Sequence, residues 1–511
     1  MTTTGAARDG SLPRSGGEES TAGIGRRGFV ADHGLYTAEQ RAAAAHMVEV
    51  IRRTDLRTVR VVVVDQHGVP RAKFLSARAA VASVSNGVDF SGAIYSLDSG
   101  NTVFPPAFAA GGGFGIPKLT GFSDVVVVPD PLTFRILPWA DRTGWVLCDA
   151  YFSSGRPLPL DPRRILRTQL DRAGSLGFSY LTGLEVEFYI TRMQSTPGLE
   201  DTTQPAATPT VTPFELGYQF LSEVRLDSVT DTLTVLRDAL DALELSPRTM
   251  EDEWGPGQLE FSFSPMAGLA SADAMILFRS AVKQLCARRG LLATFMCKPV
   301  LPNFFASGWH LHASLLDERG GNAFTSDSDV LSPTGLHYVA GLLEHAPAMT
   351  ALATPTVNGY VRFAPYSFAP DRICWAVENR GALVRVQGGA GDPGTHLENR
   401  IGEPAANPYL YLAADLAAGL AGIERSLTPP DAVEADPYAA DAPLLPTAPA
   451  VALDALAADE LYRKEFGDGF VDYYLMMKRA ELARHDAACA DAEDPEAAGT
   501  AWQMREYFEF Y

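Results

Sequence analysis

The sequence predicts an α+β protein: a small, mostly β N-terminal domain over residues 37–152, followed by a large C-terminal domain over residues 153–511 built on a carboxylate-lined funnel of strands. Three observations predict it. Apolar strand-like runs separated by turn residues occupy the first part of the chain. Helical spacing of apolar residues recurs through the second. Four separated stretches beyond residue 183 alternate acids, histidines and arginine with apolar residues, so that each strand shows polar groups on one face and core on the other.

Composition narrows the class. A chain of 511 residues with 46% hydrophobic content can bury a large core. Its formal charge of −20 argues against nucleic acid or an anionic membrane as partner, since both reward clustered Lys and Arg. The five cysteines, Cys148, Cys286, Cys297, Cys374 and Cys489, are scattered and odd in number, which fits reduced, mostly buried thiols and not a disulfide frame or zinc site. No apolar run is long enough for a transmembrane helix. Arg26-Arg27 is followed by Gly28-Phe29-Val30-Ala31-Asp32-His33 and not by the apolar stretch of a twin-arginine signal, so the expected compartment is the cytoplasm.

Residues 1–36, rich in Thr, Gly, Ser and Arg without periodicity, read as a disordered tail. Thr37-Ala38-Glu39-Gln40 is a capping-box pattern ahead of an amphipathic helix through Ile51. Val59–Val64, the turn Asp65-Gln66-His67-Gly68 and Ala72–Leu75 form a hairpin, and Asp124–Asp130 and Gly144–Asp149 are further strands. The glycine run Gly111-Gly112-Gly113-Phe114-Gly115 lacks a following Lys-Ser/Thr pair and reads as a mobile loop, not a phosphate loop. After the linker Gly155-Arg156-Pro157, Asp161-Pro162 opens a helix through Leu176. Residues 193–213, crowded with Thr, Pro and Gln, read as a long surface loop. Helical spacing covers Asp227–Leu245, Ser271–Arg289, Asn407–Glu424 and Phe470–His485, whereas Leu427–Ala458 reads as an extended surface segment.

The chemistry concentrates in the four alternating stretches. Gly183-Leu184-Glu185-Val186-Glu187-Phe188 puts two carboxylates on one face, and like charges that close require a cation. Glu253-Trp254-Gly255-Pro256-Gly257-Gln258-Leu259-Glu260 brings two more acids together across a turn. Trp309-His310-Leu311-His312-Ala313-Ser314 aligns two histidines and a serine, and His396-Leu397-Glu398-Asn399-Arg400 aligns an acid with an arginine. Oxygen-rich sites with an imidazole suit Mg²⁺ or Mn²⁺, and a pair of such ions suits phosphoryl transfer.

With these motifs in that order, residues 37–511 resemble the glutamine synthetase family, down to the ending Trp502-Gln503-Met504-Arg505-Glu506-Tyr507. The resemblance implies a β-grasp-like N-terminal domain and a curved antiparallel catalytic sheet. It implies two or more divalent metals per site, one held by Glu187, Glu253 and Glu260 and the other by Glu185, His310 and Glu398. ATP, a co-substrate, would meet His312, Ser314, Arg380 and Arg385. Arg362, in Asn358-Gly359-Tyr360-Val361-Arg362, would bind the carboxylate of glutamate, Arg380 would stabilise the migrating phosphoryl, and Arg400 would steady the acyl phosphate. The resemblance also implies a homo-oligomer of stacked rings, a dodecamer, with active sites between subunits.

The chain departs from the family where ammonium is handled. The family reads F-D-G-S-S near the N-terminus, with an aspartate that deprotonates ammonium; here Phe90-Ser91-Gly92-Ala93-Ile94 puts Ser91 in its place. The family flap P-G-Y-E-A-P becomes Pro365-Tyr366-Ser367-Phe368-Ala369-Pro370, so a glutamate becomes Phe368. Serine and phenylalanine neither attract a cation nor remove its proton. Ser91, Tyr366 and Phe368 therefore suggest a pocket for a larger, less polar amine, an aromatic one above all. Phe305-Ala306 replaces an Asn-Gly near the glutamate amino group, which assigns Ala306 to the acid pocket with Arg362 and Arg400, and His396 replaces a basic residue near the phosphates. The expected reaction is ATP-dependent ligation of the γ-carboxylate of glutamate to an organic amine; the alternatives are a true glutamine synthetase and a catalytically inactive scaffold or sensor. Asp89, Tyr366 and Ser367 neighbour the changed positions without identifying a general base.

Overall fold

A computed structural model describes residues 27–102, 105–195, 207–490 and 492–511. Two sheets carry the fold. The first contains β1 (Thr58–Val64), β2 (Pro70–Ser76), β3 (Val88–Ser91), β4 (Asp124–Pro129), β5 (Arg135–Ile136) and β6 (Thr143–Tyr151), in the order β2-β1-β6-β4-β3 with β5 on β6. The hairpin pairs Val62 with Ala72, as the alternation requires. The first helix, Ala38–Arg53, starts with the anticipated capping box, Thr37 and Gln40 each bonding the other's backbone. A second helix, Ala77–Asn86, was not anticipated; its Ala- and Ser-rich sequence has a weak apolar face, and only Ala80, Ser83 and Val84 are buried.

The second sheet is organised on the seventeen-residue strand β7 (Ser179–Ser195). Around it lie β8 (Thr210–Pro213), β9 (Pro247–Asp252), β10 (Gln258–Phe263), β11 (Met266–Ala267), β12 (Leu291–Thr294), β13 (Trp309–Leu316), β14 (Trp375–Val377), β15 (Val384–Gln387) and β16 (His396–Gly402). The main path is β14-β15-β16-β13-β7-β10-β9, antiparallel except between β14 and β15. On the core face of β7, Leu184, Val186 and Phe188 are fully buried, and Phe188 meets Phe261, Phe278 and Phe295. The carboxylates therefore stand on a rigid aromatic floor.

Helices Pro333–Ala353 and Pro408–Glu424 pack against each other closely enough that a Cβ on Gly341 would lie 2.0 Å from the Ala418 carbonyl. Asp415 between them accepts from Tyr180, Tyr338 and Asn399 at 2.8, 2.7 and 2.9 Å, which ties β7 and β16 to the helical layer. Arg163, which is buried and bonded to Asp149, Asp130 and Asp273 at 2.6 to 2.8 Å, ties the first sheet to helix Ala270–Ala287. A buried arginine is tolerable only with such complete pairing.

Three expectations need correction. Of the disordered tail, residues 1–26 lie outside the described residues, but Phe29–Asp32 is a helical turn and Val30 and Tyr36 are buried, with Tyr36 Oη donating to the Pro129 carbonyl at 2.6 Å. The loop expected over 193–213 begins and ends in strand, because the Thr-rich segment 210–213 is β-branched and pairs with β7; residues 196–206 lie outside the described residues. Within 427–458, helix Pro449–Ala458 buries Ala452, Leu453 and Leu456, so the alanines there are helix formers and not surface filler. The glycine run does form turns, with Phe114 packed on Tyr473 at 5.1 Å.

Candidate active site

Strand pairing assembles the polar stretches. Glu260 on β10 stands opposite Glu187 on β7, His310 on β13 opposite Glu185, and His312 opposite Glu398 on β16, which in turn faces Arg385 on β15. Because each strand alternates, Glu398 and Arg400 face the funnel while Asn399 between them turns to Asp415. Gln258 Nε2 donates to Glu187 Oε2 at 3.0 Å and to Ser307 Oγ at 2.9 Å, fixing the Glu187 carboxylate.

Two triads of ligand-capable atoms result. Glu185, His310 and Glu398 have donor atoms within 4.8 Å of one another, as do Glu187, Glu260 and His310. The first is the set anticipated from the sequence. In the second His310 stands where Glu253 was expected, because Glu253 lies in the turn beyond β9, and β10 pairs Glu260 with Glu251. Glu253 remains close enough for its charge to act on Glu260.

The electrostatics test whether these groups suit a divalent cation. Burial, opposed in part by Arg362, raises the Glu187 carboxyl to about 7. Burial and the neighbouring Glu187 raise Glu253 to about 8. Burial and then the charges of Glu185, Glu187 and Glu253 raise Glu260 to about 11. No salt bridge reaches Glu253 or Glu260 among the described residues, so the two carboxyls keep their protons near neutral pH and would give them up to a bound cation. On the other side burial is overcome. His310 and His312 hold Glu185 below its ordinary value through bonds of 2.7 and 3.1 Å, and Arg400 and His310 do the same for Glu398. Burial and Arg400 lower His310, leaving a neutral imidazole able to ligate. The donor set fits Mg²⁺ or Mn²⁺.

The expected arginines divide by environment. Arg400 contacts Glu398 through Nη1 and donates from Nη2 to the Phe368 carbonyl at 3.0 Å, so the flap residue is held to the carboxylate cluster. Arg385 bonds Glu398 at 2.9 Å and Glu378 at 2.6 Å. Arg362 is buried and donates to the Ile401 and Arg400 carbonyls at 2.9 and 3.3 Å. Arg380 is exposed in the turn between β14 and β15, without a partner among the described residues.

A cavity of about 330 Å³ adjoins the funnel, lined among others by Glu185, Arg248, His312, Ser314, Asn322 and His396. That volume is within the range of small-molecule sites. His312 and Ser314 thus share one cavity, while Arg380 and Arg385 are not among its walls. Arg248 was missed because nothing in its sequence neighbourhood marks it; only the pairing of β9 with β10 brings it there. His396 accepts or donates at 3.0 Å with His312 and is lowered by burial, so it brings no fixed charge to this cavity.

Of the amine-pocket residues, Phe368 is at the funnel mouth and Tyr366 bonds Asp436 at 2.9 Å while packing on Tyr438. Ser91 ends β3 in the other sheet, where its Oγ accepts from Ala93 N at 3.2 Å; among the described residues no hydrogen bond links it to the carboxylates. Ala306 is half-buried beside Phe305, whose backbone is pinned on both sides by the Tyr189 hydroxyl.

Comparison with known proteins agrees with this geometry. Residues 159–495 match the family described as glutamine synthetase, catalytic domain. A gamma-glutamylanilide synthase of Acinetobacter sp is 44% identical over 94% of this chain and 98% of its own length. A glutamate–isopropylamine ligase of Pseudomonas sp is 30% identical over 86% of this chain and 94% of its own. The solved structure of apo GmaS without ligand superposes with a TM-score of 0.73 at 30% identity, covering 87% of this chain and 97% of that one. No helix among the described residues is long and apolar enough to cross a membrane. The two triads on strands of one curved sheet, and the sequence match around them, together show that this chain belongs to the glutamine synthetase family of ATP-dependent carbon–nitrogen ligases.

Proposed function

We propose that the enzyme joins the γ-carboxylate of glutamate to an organic amine, with an apolar or aromatic amine favoured over ammonium, by way of a γ-glutamyl phosphate. Phe368 carries the reading. At the mouth of an anionic funnel, where ammonium would need a carboxylate, the chain presents an exposed phenyl ring on a backbone held by Arg400. The relatives named for anilide and isopropylamine products support it.

In this reading Glu185, His310 and Glu398, with Glu187, Glu253 and Glu260, hold Mg²⁺ or Mn²⁺. Such ions, when bound, neutralise phosphate oxygens and draw charge from the phosphoryl group as it moves. His312 and Ser314 meet the nucleotide in the cavity. Arg380, exposed and without a partner among the described residues, is free to meet the transferring phosphoryl, while Arg385 orients Glu398. Arg362 and Arg400 line the acid pocket with Ala306, and Arg400, fixed by Glu398, aims at the acyl phosphate oxygen. An arylamine is uncharged near neutral pH, so its nitrogen attacks the acyl carbon without a dedicated base, expels inorganic phosphate and yields a proton to that phosphate.

The test is phosphate release with ATP, Mg²⁺ and glutamate, comparing ammonium, alkylamines and anilines. The expected result is faster turnover with organic amines. Turnover with ammonium alone overturns the reading, and no turnover with any amine together with no metal binding points to a scaffold. We extend the proposal to assembly: stacked rings, a dodecamer, would bring Ser91 of one subunit toward Phe368 of the next. Light scattering that gives a 54.9 kDa monomer would exclude that arrangement.

A further inference from the structure

Around the funnel mouth the chain exposes aromatic rings in a row. Trp254 stacks on Phe220 with centroids 5.9 Å apart and planes 12° apart, and on Phe368 at 6.4 Å and 28°. Yet Trp254 is 44% exposed, Phe220 49% and Phe368 61%, so each keeps much of its surface open. Trp254 follows Glu253 directly, and Phe368 is bonded through its carbonyl to Arg400. The row therefore bridges the two sides of the carboxylate cluster.

The backbone is bent to present these rings. Phe368 lies at φ 61° and Tyr366 at φ 60°, a region costly for bulky side chains. The loop carrying Phe220 has Tyr218 at φ 71° and Leu221 at φ 55°, and it is held to the strand before Trp254 by Tyr218 N to Trp254 O at 2.9 Å and Leu221 N to Asp252 O at 3.0 Å. Glu215 clamps the base of that loop through Gly217 N, Gly257 N and Arg225. Such expense is unneeded for a solvated loop.

We propose that Trp254 and Phe368 form an aryl clamp that grips the organic part of the amine, with Phe220 backing Trp254, so that Trp254 and Phe220 join Phe368 in setting amine specificity. This rests on the organic-amine reading above. The Trp254–Phe368 separation is at the loose end of aromatic pairing, so the two rings hold each other weakly and their exposed surfaces can take a third ring beside them. The occupant is a substrate ring and not a second copy of the chain, because the row is continuous with the buried charges of the site through Glu253 and Arg400.

The experiment measures KM and kcat for aniline, methylamine, ammonium and glutamate in the wild type, W254A, F220A and W254F, with particle mass for each. Wild-type turnover of ammonium alone would defeat the organic-amine reading and this clamp with it. If the wild type uses organic amines, W254A is expected to raise KM for aniline about tenfold, the order that a lost aromatic contact supports. KM for methylamine and glutamate should move less than about twofold by comparison, and W254F should recover most of the aniline affinity. Quenching of indole fluorescence by aniline, present in the wild type and reduced in W254F, reports the contact without turnover. Equal losses for aniline and methylamine, or a change of particle mass in W254A or F220A, would assign the row to scaffold or subunit packing and overturn the clamp.

Discussion

Gly308 stands between an arginine and the carboxylates that it partly neutralises. A Cβ there would lie 2.9 Å from Arg362 Nη2 and His310 Nε2 and 3.3 Å from Glu187 Oε1. All three are the far ends of side chains, which can move, so Gly308→Ala should fold normally but displace donors from both triads. The expected result is a divalent-cation affinity reduced by about 10- to 100-fold with the melting temperature of the metal-free protein little changed, measured by titration calorimetry and thermal melting. Glu260→Gln sharpens the same point. With its carboxyl raised to about 11, Glu260 is already neutral in the metal-free chain near neutral pH, so the amide should not stabilise that form; it should abolish most of the stabilisation that Mg²⁺ or Mn²⁺ adds. Phe368→Glu restores an acid at an exposed position. It should raise the ratio of ammonium to aniline turnover, and an unchanged ratio would remove Phe368 from the amine site.

At the scale of elements, β7 and β16 show how an alternating strand separates chemistry from stability. Glu185 and Glu187 face the funnel while Leu184, Val186 and Phe188 pack the core; Glu398 and Arg400 face the funnel while Asn399 bonds Asp415. Asp415→Ala would take the acceptor from the buried Tyr180 hydroxyl and leave Tyr338 and Asn399 only the weaker residue-415 carbonyl at 3.3 Å and Met349 Sδ at 3.4 Å. Denaturant unfolding should show a loss of about 3 kcal/mol, since a buried orphan costs on the order of 1–3 kcal/mol and the two weakened bonds add to it. The strand alternation itself was legible in the sequence, as were the capped helices, because both are local patterns. The helix Pro449–Ala458 was not, since Ala, Pro and Asp are equally at home on a surface until Leu453 and Leu456 find a core to enter.

Across the whole molecule, the unpaired acids make stability depend on pH in a direction opposite to ordinary acid denaturation. Glu187, Glu253 and Glu260 have folded values of about 7, 8 and 11 against an ordinary 4.5. Below the ordinary value both folded and unfolded chains are protonated, and the groups cost nothing. As pH rises above it the unfolded chain binds fewer protons than the folded one, so stability is lost through the folded values. Glu185 and Glu398, held low, act in the other sense and lose their contribution only in acid. The metal-free enzyme should therefore melt at progressively lower temperature from about pH 5 to pH 9, and saturating Mg²⁺ or Mn²⁺ should flatten that slope with release of protons. Asp161 and Glu403, each raised to about 7 by burial, contribute a similar slope that the cation does not remove, so the difference between loaded and metal-free curves isolates the funnel.

The sequence by itself determined which side chains share a face, because a strand alternates with a period of two and the neighbours of Glu185, Glu260 and His310 are apolar enough to make that alternation visible. Through its resemblance to the family, it also suggested Ser91 and Phe368 at positions where an ammonium site would carry acids. Only the tertiary structure decided which faces meet. The opposition of Glu187 to Glu260 and of Glu185 to His310, the approach of His310 to Glu187 and Glu260, the entry of Arg248 into the cavity beside His312 and the stacking of Phe220 on Trp254 all depend on strand register and loop closure between residues far apart in the chain. Periodicity is a property of neighbours along the chain, whereas pairing is selected by the whole core that the chain must bury.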